Sequence, residues 1–138
     1  MSSAGRRDAP RGDGRHIDTG TLLQLAAAAA SEVKPTSLVH LDLRDICAFT
    51  DHFLIASASS GRQVRAIAER IEERLSGEQV RVLHREGDQE SGWILLDYSD
   101  LIVHIFEEET RLYYDLEGLW ADAPKQELIK SASQSPLR

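Results

Sequence analysis

The chain has a single cysteine, Cys47, in 138 residues. A lone thiol excludes an intrachain disulfide and any zinc or iron–sulfur site built from several cysteines, and it fits a reducing compartment. As a nucleophile Cys47 would need a histidine brought beside it by the fold; a small buried side chain next to strand residues is the simpler reading. Long hydrophobic runs are missing as well. The longest candidate, residues 22–30, is interrupted by Gln24, falls short of the ~18–20 residues that cross a bilayer and lacks a signal-peptide layout. A soluble, cytoplasmic protein with no membrane partner is expected. Positive charge is scarce: 16 Lys and Arg stand against 23 Asp and Glu, a formal net charge of -7. That balance argues against direct sequence-specific nucleic-acid binding, which needs a basic surface. It suits a basic protein partner, and ribosomal proteins offer such surfaces.

Signatures of catalysis are absent in the same way. His16, His40, His52, His84 and His104 show no close ligand spacing, such as two histidines four apart on a helix. Residues 56–61 hold serines and one glycine but no following lysine, so they make no phosphate-cradling loop. Asp42 lies near Asp45, and Asp97 near Asp100. Paired carboxylates can hold magnesium, yet a strand end and a turn are places where Asp is common for conformational reasons. No catalytic residue, metal or cofactor is assigned; the enzymatic alternative is a nucleotidyltransferase-like activity using Asp42 and Asp45 with Mg2+.

What is present centres on residues 92–106, Gly-Trp-Ile-Leu-Leu-Asp-Tyr-Ser-Asp-Leu-Ile-Val-His-Ile-Phe. Two apolar runs separated by Ser99 and Asp100 predict a β-hairpin with a two-residue turn. Tyr98 and Leu101 would flank the turn, setting Asp97 opposite Ile102, Leu96 opposite Val103, Leu95 opposite His104, Ile94 opposite Ile105 and Trp93 opposite Phe106. Alternation then gives one aliphatic face, Ile94, Leu96, Tyr98, Leu101, Val103 and Ile105, that wants helices on it. The other face mixes Trp93, Leu95 and Phe106 with Asp97, Ile102 and His104. Such a face suits a macromolecular partner, with aromatic anchors and polar groups that fix register. A terminal segment or a second copy of the chain could also cover it, so a homodimer is a further expectation.

Around the hairpin, residues 1–17 read as a disordered basic tail, 18–123 as a single α+β domain, and 124–138 as a flexible C-terminal tail. A helix is expected from Asp18 or Thr19 to Pro35, strands over 38–43 and 53–58, and a helix over 60–76. That helix has Ser60 and Gln63 as a capping box and Gly77 as its stop. A short strand over 80–83 and a polar loop over 85–91 follow. After the hairpin comes one helix from Thr110 to about Leu119, with Leu112, Tyr113, Leu116, Leu119 and Trp120 as its apolar stripe. The order αββαβββα predicts one mixed five-stranded sheet with helices mainly on one face.

The hairpin segment, together with Arg-Leu-Tyr-Tyr-Asp-Leu-Glu-Gly-Leu-Trp at 111–120, Asp-His-Phe-Leu-Ile-Ala-Ser-Ala-Ser-Ser at 51–60 and Arg-Gln-Val-Arg-Ala-Ile-Ala at 62–68, resembles the ribosomal silencing factors, the RsfS or Iojap-like family. The likeness covers about residues 22–123. Departures fall at His52, where the family usually has an aromatic, and at Ala58 and Ser99, where glycine is frequent. The resemblance implies a nucleotidyltransferase-like sheet without the paired-aspartate motif such enzymes use. It also implies a repressor of translation that binds the large ribosomal subunit through its protein L14, blocks association with the small subunit and acts when nutrients are short. The contact residues it implies are Trp93, Leu95, Asp97, His104 and Phe106, with Glu107, Glu108 and Tyr114 beside them.

Overall fold

The computed structural model describes residues 17–130, so the expected tails over 1–16 and 131–138 lie outside it. In chain order the elements are α1 (Thr19–Glu32), β1 (Ser37–Asp42), β2 (His52–Ala58), α2 (Gly61–Gly77), β3 (His84–Asp88), β4 (Trp93–Asp97), β5 (Leu101–Glu107), α3 (Glu108–Tyr114), a single turn α4 (Leu116–Leu119) and β6 (Lys125–Ile129). The strands form one mixed sheet in the order β3-β4-β5-β2-β1-β6. Only the central β2–β5 pair is parallel among these neighbours. The fold is thus α+β, with six strands where five were expected.

The hairpin lies where the sequence predicts it, and all five expected cross-strand pairs are the observed ones. Tyr98 N–H donates to the Leu101 carbonyl at 2.8 Å. Ser99, at a position where glycine is frequent in the resembled family, takes a left-handed φ of 76°; Asp97 steadies it by accepting the Ser99 N–H at 2.7 Å, the turn chemistry that suits Asp.

One sheet face carries the main core. Leu38, Leu54, Ala56, Ile94, Leu96, Leu101, Val103 and Ile105 pack there with Leu22, Ala26, Ala29 and Ala30 of α1 and Val64, Ile67, Ala68, Ile71 and Leu75 of α2. The alanines let α1 lie close, and the α2 stripe follows helical spacing. Ser60 caps α2 by accepting the Gln63 N–H at 3.1 Å. The return bond of the box goes to Ser59, whose N–H donates to Gln63 Oε1 at 2.8 Å.

Three expectations are corrected. Residues 80–83 are not a strand; the next strand is the wholly polar His84–Asp88, paired in register with β4, where a loop was expected. An exposed edge needs no apolar pattern, so periodicity could not reveal it. The expected helix over 110–119 is broken at Asp115, which adopts φ 48° and accepts the Gly118 N–H at 3.1 Å to start a new turn. The flexible tail expected from residue 124 is replaced over residues 125–129 by a strand, because Lys125–Ile129 pairs antiparallel with β1. No helix among the described residues is long and apolar enough to cross a membrane.

Candidate functional site: the Trp93 face

The second sheet face is less open than the hairpin alone suggests. Val39, Leu41, Leu43, Phe53, Ile55, Ile102, Phe106 and Ala123 form a smaller core there, joined by Cys47, Trp93, Leu95, Leu116 and Trp120. The segment containing α3 and α4 folds back over the end of this face. Phe106 is therefore fully buried and His104 is 4% exposed. The expectation that these two lie on the surface is corrected: they form the floor on which the surface residues stand.

Trp93 straddles the boundary between floor and surface. It is half-buried, and its ring lies 4.9 Å from Phe106 and 4.5 Å from Tyr114 between centroids. The indole N–H donates to His104 Nδ1 at 3.2 Å. An indole can only donate, so Nδ1 must be the acceptor and the neutral ring carries its proton on Nε2. Burial pushes the His104 imidazole down to about 4, which keeps that acceptor available at neutral pH. Phe53 packs edge-on against His104 at 4.6 Å. Three strand and helix side chains, Phe106, His104 and Tyr114, thus fix one indole, with Phe53 backing the imidazole.

Leu95 and Asp97 are half-buried on the same strip. Glu107, the last residue of β5, is half-buried; Glu108 is exposed, and Tyr114 is 47% exposed. Sequence reasoning missed two groups beside them. Leu112, Tyr113 and Leu119 were expected to be an apolar stripe facing inward, but they are 79%, 81% and 73% exposed. The break at Asp115 explains this for Leu112 and Tyr113, since it rotates Leu116 and Trp120 into the second core and leaves the preceding turn facing out. The other group is β3. Its register sets Asp88 opposite Trp93, Glu86 opposite Leu95 and His84 opposite Asp97, so two more carboxylates share the Trp93 face. No apolar alternation marked this strand, whose residues are all exposed.

A model of the family described as "Ribosomal silencing factor during starvation" (RsfS) matches residues 16–137. The chain belongs to the RsfS family. The Bacillus subtilis ribosomal silencing factor RsfS is 38% identical over 108 residues, which cover 78% of this chain and 92% of that one. The chloroplastic Iojap protein of maize is 36% identical over 103 residues, 74% of this chain and 44% of that longer one. Among solved structures, a Bacillus halodurans protein covers 80% of this chain and all of its own, with TM-score 0.70 and 35% identity. A Chromobacterium violaceum protein covers 84% of this chain and 97% of its own, with TM-score 0.74 and 27% identity.

In this RsfS-family chain one member of the carboxylate pair weighed for nucleotidyl transfer, Asp42, is otherwise engaged. Asp42 accepts from Arg44 Nε at 2.9 Å and Nη2 at 2.6 Å, and that guanidinium holds its carboxyl down at about 2. Asp45 is exposed in the following loop. A carboxylate forked onto an arginine presents little charge to a divalent cation. Among the described residues no group of three or more His, Cys, Asp or Glu could hold a metal ion.

Proposed function

We propose that this chain is a ribosomal silencing factor that binds the large ribosomal subunit through protein L14. By occupying the joining surface it keeps the small subunit away and represses translation under nutrient limitation. It acts in the cytoplasm, by occupancy rather than by catalysis. The observation that carries the reading is Trp93: an indole fixed by Phe106, His104 and Tyr114 yet still reaching solvent, ringed by acids from three elements. A rigid aromatic anchor inside a charged rim is the usual centre of a protein interface. The excess of carboxylates favours a cationic partner and speeds encounter with it. The sheet order, with its parallel β2–β5 centre, supports a nucleotidyltransferase-like topology, and the Asp42–Arg44 pair speaks against Asp42 as a metal ligand.

Equilibrium binding to purified large subunits tests the site. Trp93→Ala should weaken binding by ~30- to 1,000-fold, the span of ~2–4 kcal/mol for an aromatic anchor. Tyr113→Ala, which removes an exposed ring and leaves the core untouched, should weaken it less. Wild-type affinity in both variants would dispose of this face as the contact surface.

Exposed Leu112, Tyr113 and Leu119 also favour self-association of free chains as a second reading. Light scattering across a dilution series should then show a dimer that dissociates; a monomer at every concentration ends that reading.

A further inference from the structure

Beside Trp93 lies a cleft of about 150 Å³, lined by Glu86, Gly87, Ser91, Trp93 and Leu95. Its floor is apolar, made by the indole and Leu95, and one carboxylate stands at its rim. The alternation of β3 sets that polarity. Arg85 points to the opposite face, where its guanidinium pairs with Glu72 of α2 at 2.5 Å, so it brings no cation to the cleft. Glu86 faces the cleft with 65% of its side chain exposed. Its Oε2 sits 2.6 Å from His84 Nε2, which orients the carboxylate. Gly87 has φ +87°, and a Cβ there would collide with the Trp93 carbonyl oxygen; glycine alone lets β3 close on β4 at this point. Ser91 cannot serve as a free donor, because its hydroxyl is engaged with the Asp88 and Trp93 carbonyl oxygens at 3.0 and 3.1 Å.

From this arrangement we infer that the cleft is a subsite for one arginine side chain of a basic protein. The apolar stem lies on Leu95, the planar guanidinium rests against the Trp93 indole, and its fork meets Glu86. A long cationic side chain of this kind buries its stem and keeps its charge at the rim. Arginine is favoured over lysine because a guanidinium stacks on an aromatic face and is less strongly hydrated than an ammonium. The inference rests on the reading of this face as a docking surface and names the chemistry at one point of it.

Titration of the isotope-labelled full chain with N-acetyl-L-arginine amide, followed by NMR, tests the subsite without the ribosome. The Trp93 indole N–H and the Gly87 and Leu95 amides should shift together and saturate. N-acetyl-L-citrulline amide, of the same shape but uncharged, should bind at least about fivefold more weakly, and Glu86→Gln should lower arginine-amide affinity by about the same factor, as expected for one exposed ion pair. The lysine analogue should rank below arginine. Equal binding of citrulline, indifference to Glu86→Gln, or shifts that scatter over the acidic surface without saturating would each overturn the subsite. If the arginine probe binds as described while large subunits do not bind the wild-type chain, the subsite stands and the ribosomal reading falls. If subunits bind wild type and Glu86→Gln alike, the reverse holds.

Discussion

At the scale of single residues, the chemistry of the site converges on His104, a histidine that works by staying neutral. Its ordinary value of 6.5 falls to about 4 through burial, so as the pH drops an unfolded chain takes up the proton first. Stability from this group is fully present above pH 6.5 and is lost as the pH falls toward 4, by about 3 kcal/mol in all. His40 and His52, whose rings meet at 2.8 Å between Nε2 and Nδ1, are both lowered, chiefly by burial, and act in the same direction. Urea denaturation at a series of pH values should show the midpoint falling between pH 6.5 and 4; a flat profile over that range would contradict the buried neutral imidazole. The sequence placed His104 across from Leu95 by alternation alone. It could not reveal that His104 and Phe106 are covered, because the covering residues Leu116, Trp120 and Ala123 arrive from beyond a helix break whose only sign is Asp115 three residues before Gly118.

At the scale of elements, the short α3–α4 segment owes its position to Arg111. The guanidinium grips both Glu117 oxygens, Nε to Oε1 at 2.8 Å and Nη2 to Oε2 at 2.6 Å. Its third nitrogen donates to Ser57 Oγ at 2.6 Å and to Ser37 Oγ. One side chain therefore ties α3 to α4 and both to the ends of β1 and β2, and it holds Tyr113 and Tyr114 beside Trp93. Both partners of the ion pair are 18% exposed, so truncating the arginine strands a carboxylate in a poorly solvated place. Arg111→Ala should cost about 3 kcal/mol of stability, and the amides of residues 108–119 should exchange hydrogen faster than those of α2. Unchanged protection in that segment would mean the clamp holds nothing. Elements with a strong repeat, the hairpin and α2, were legible because burial imposes periodicity on sequence. The edge strands β3 and β6 were not, since six of their ten residues are charged or carry an imidazole and their pairing is decided by backbone hydrogen bonds to β4 and β1.

At the scale of the whole molecule, the six-stranded sheet separates two duties. One face is given to α1, α2 and the main core; the other keeps a second, smaller core under α4 and leaves a strip from Glu86 across Trp93 to Tyr113 open to a partner. A net charge of -7 favours a cationic partner, and association with one should be sensitive to salt. The central claim is that covering this strip with a large subunit leaves no room for the small one. Sucrose-gradient sedimentation of mixed purified subunits measures it. Wild-type protein should move material from the joined peak to the separate subunits, and Trp93→Ala should leave the joined peak intact at the same concentration. A joined peak undiminished by wild-type protein, or reduced equally by Trp93→Ala, would contradict the account.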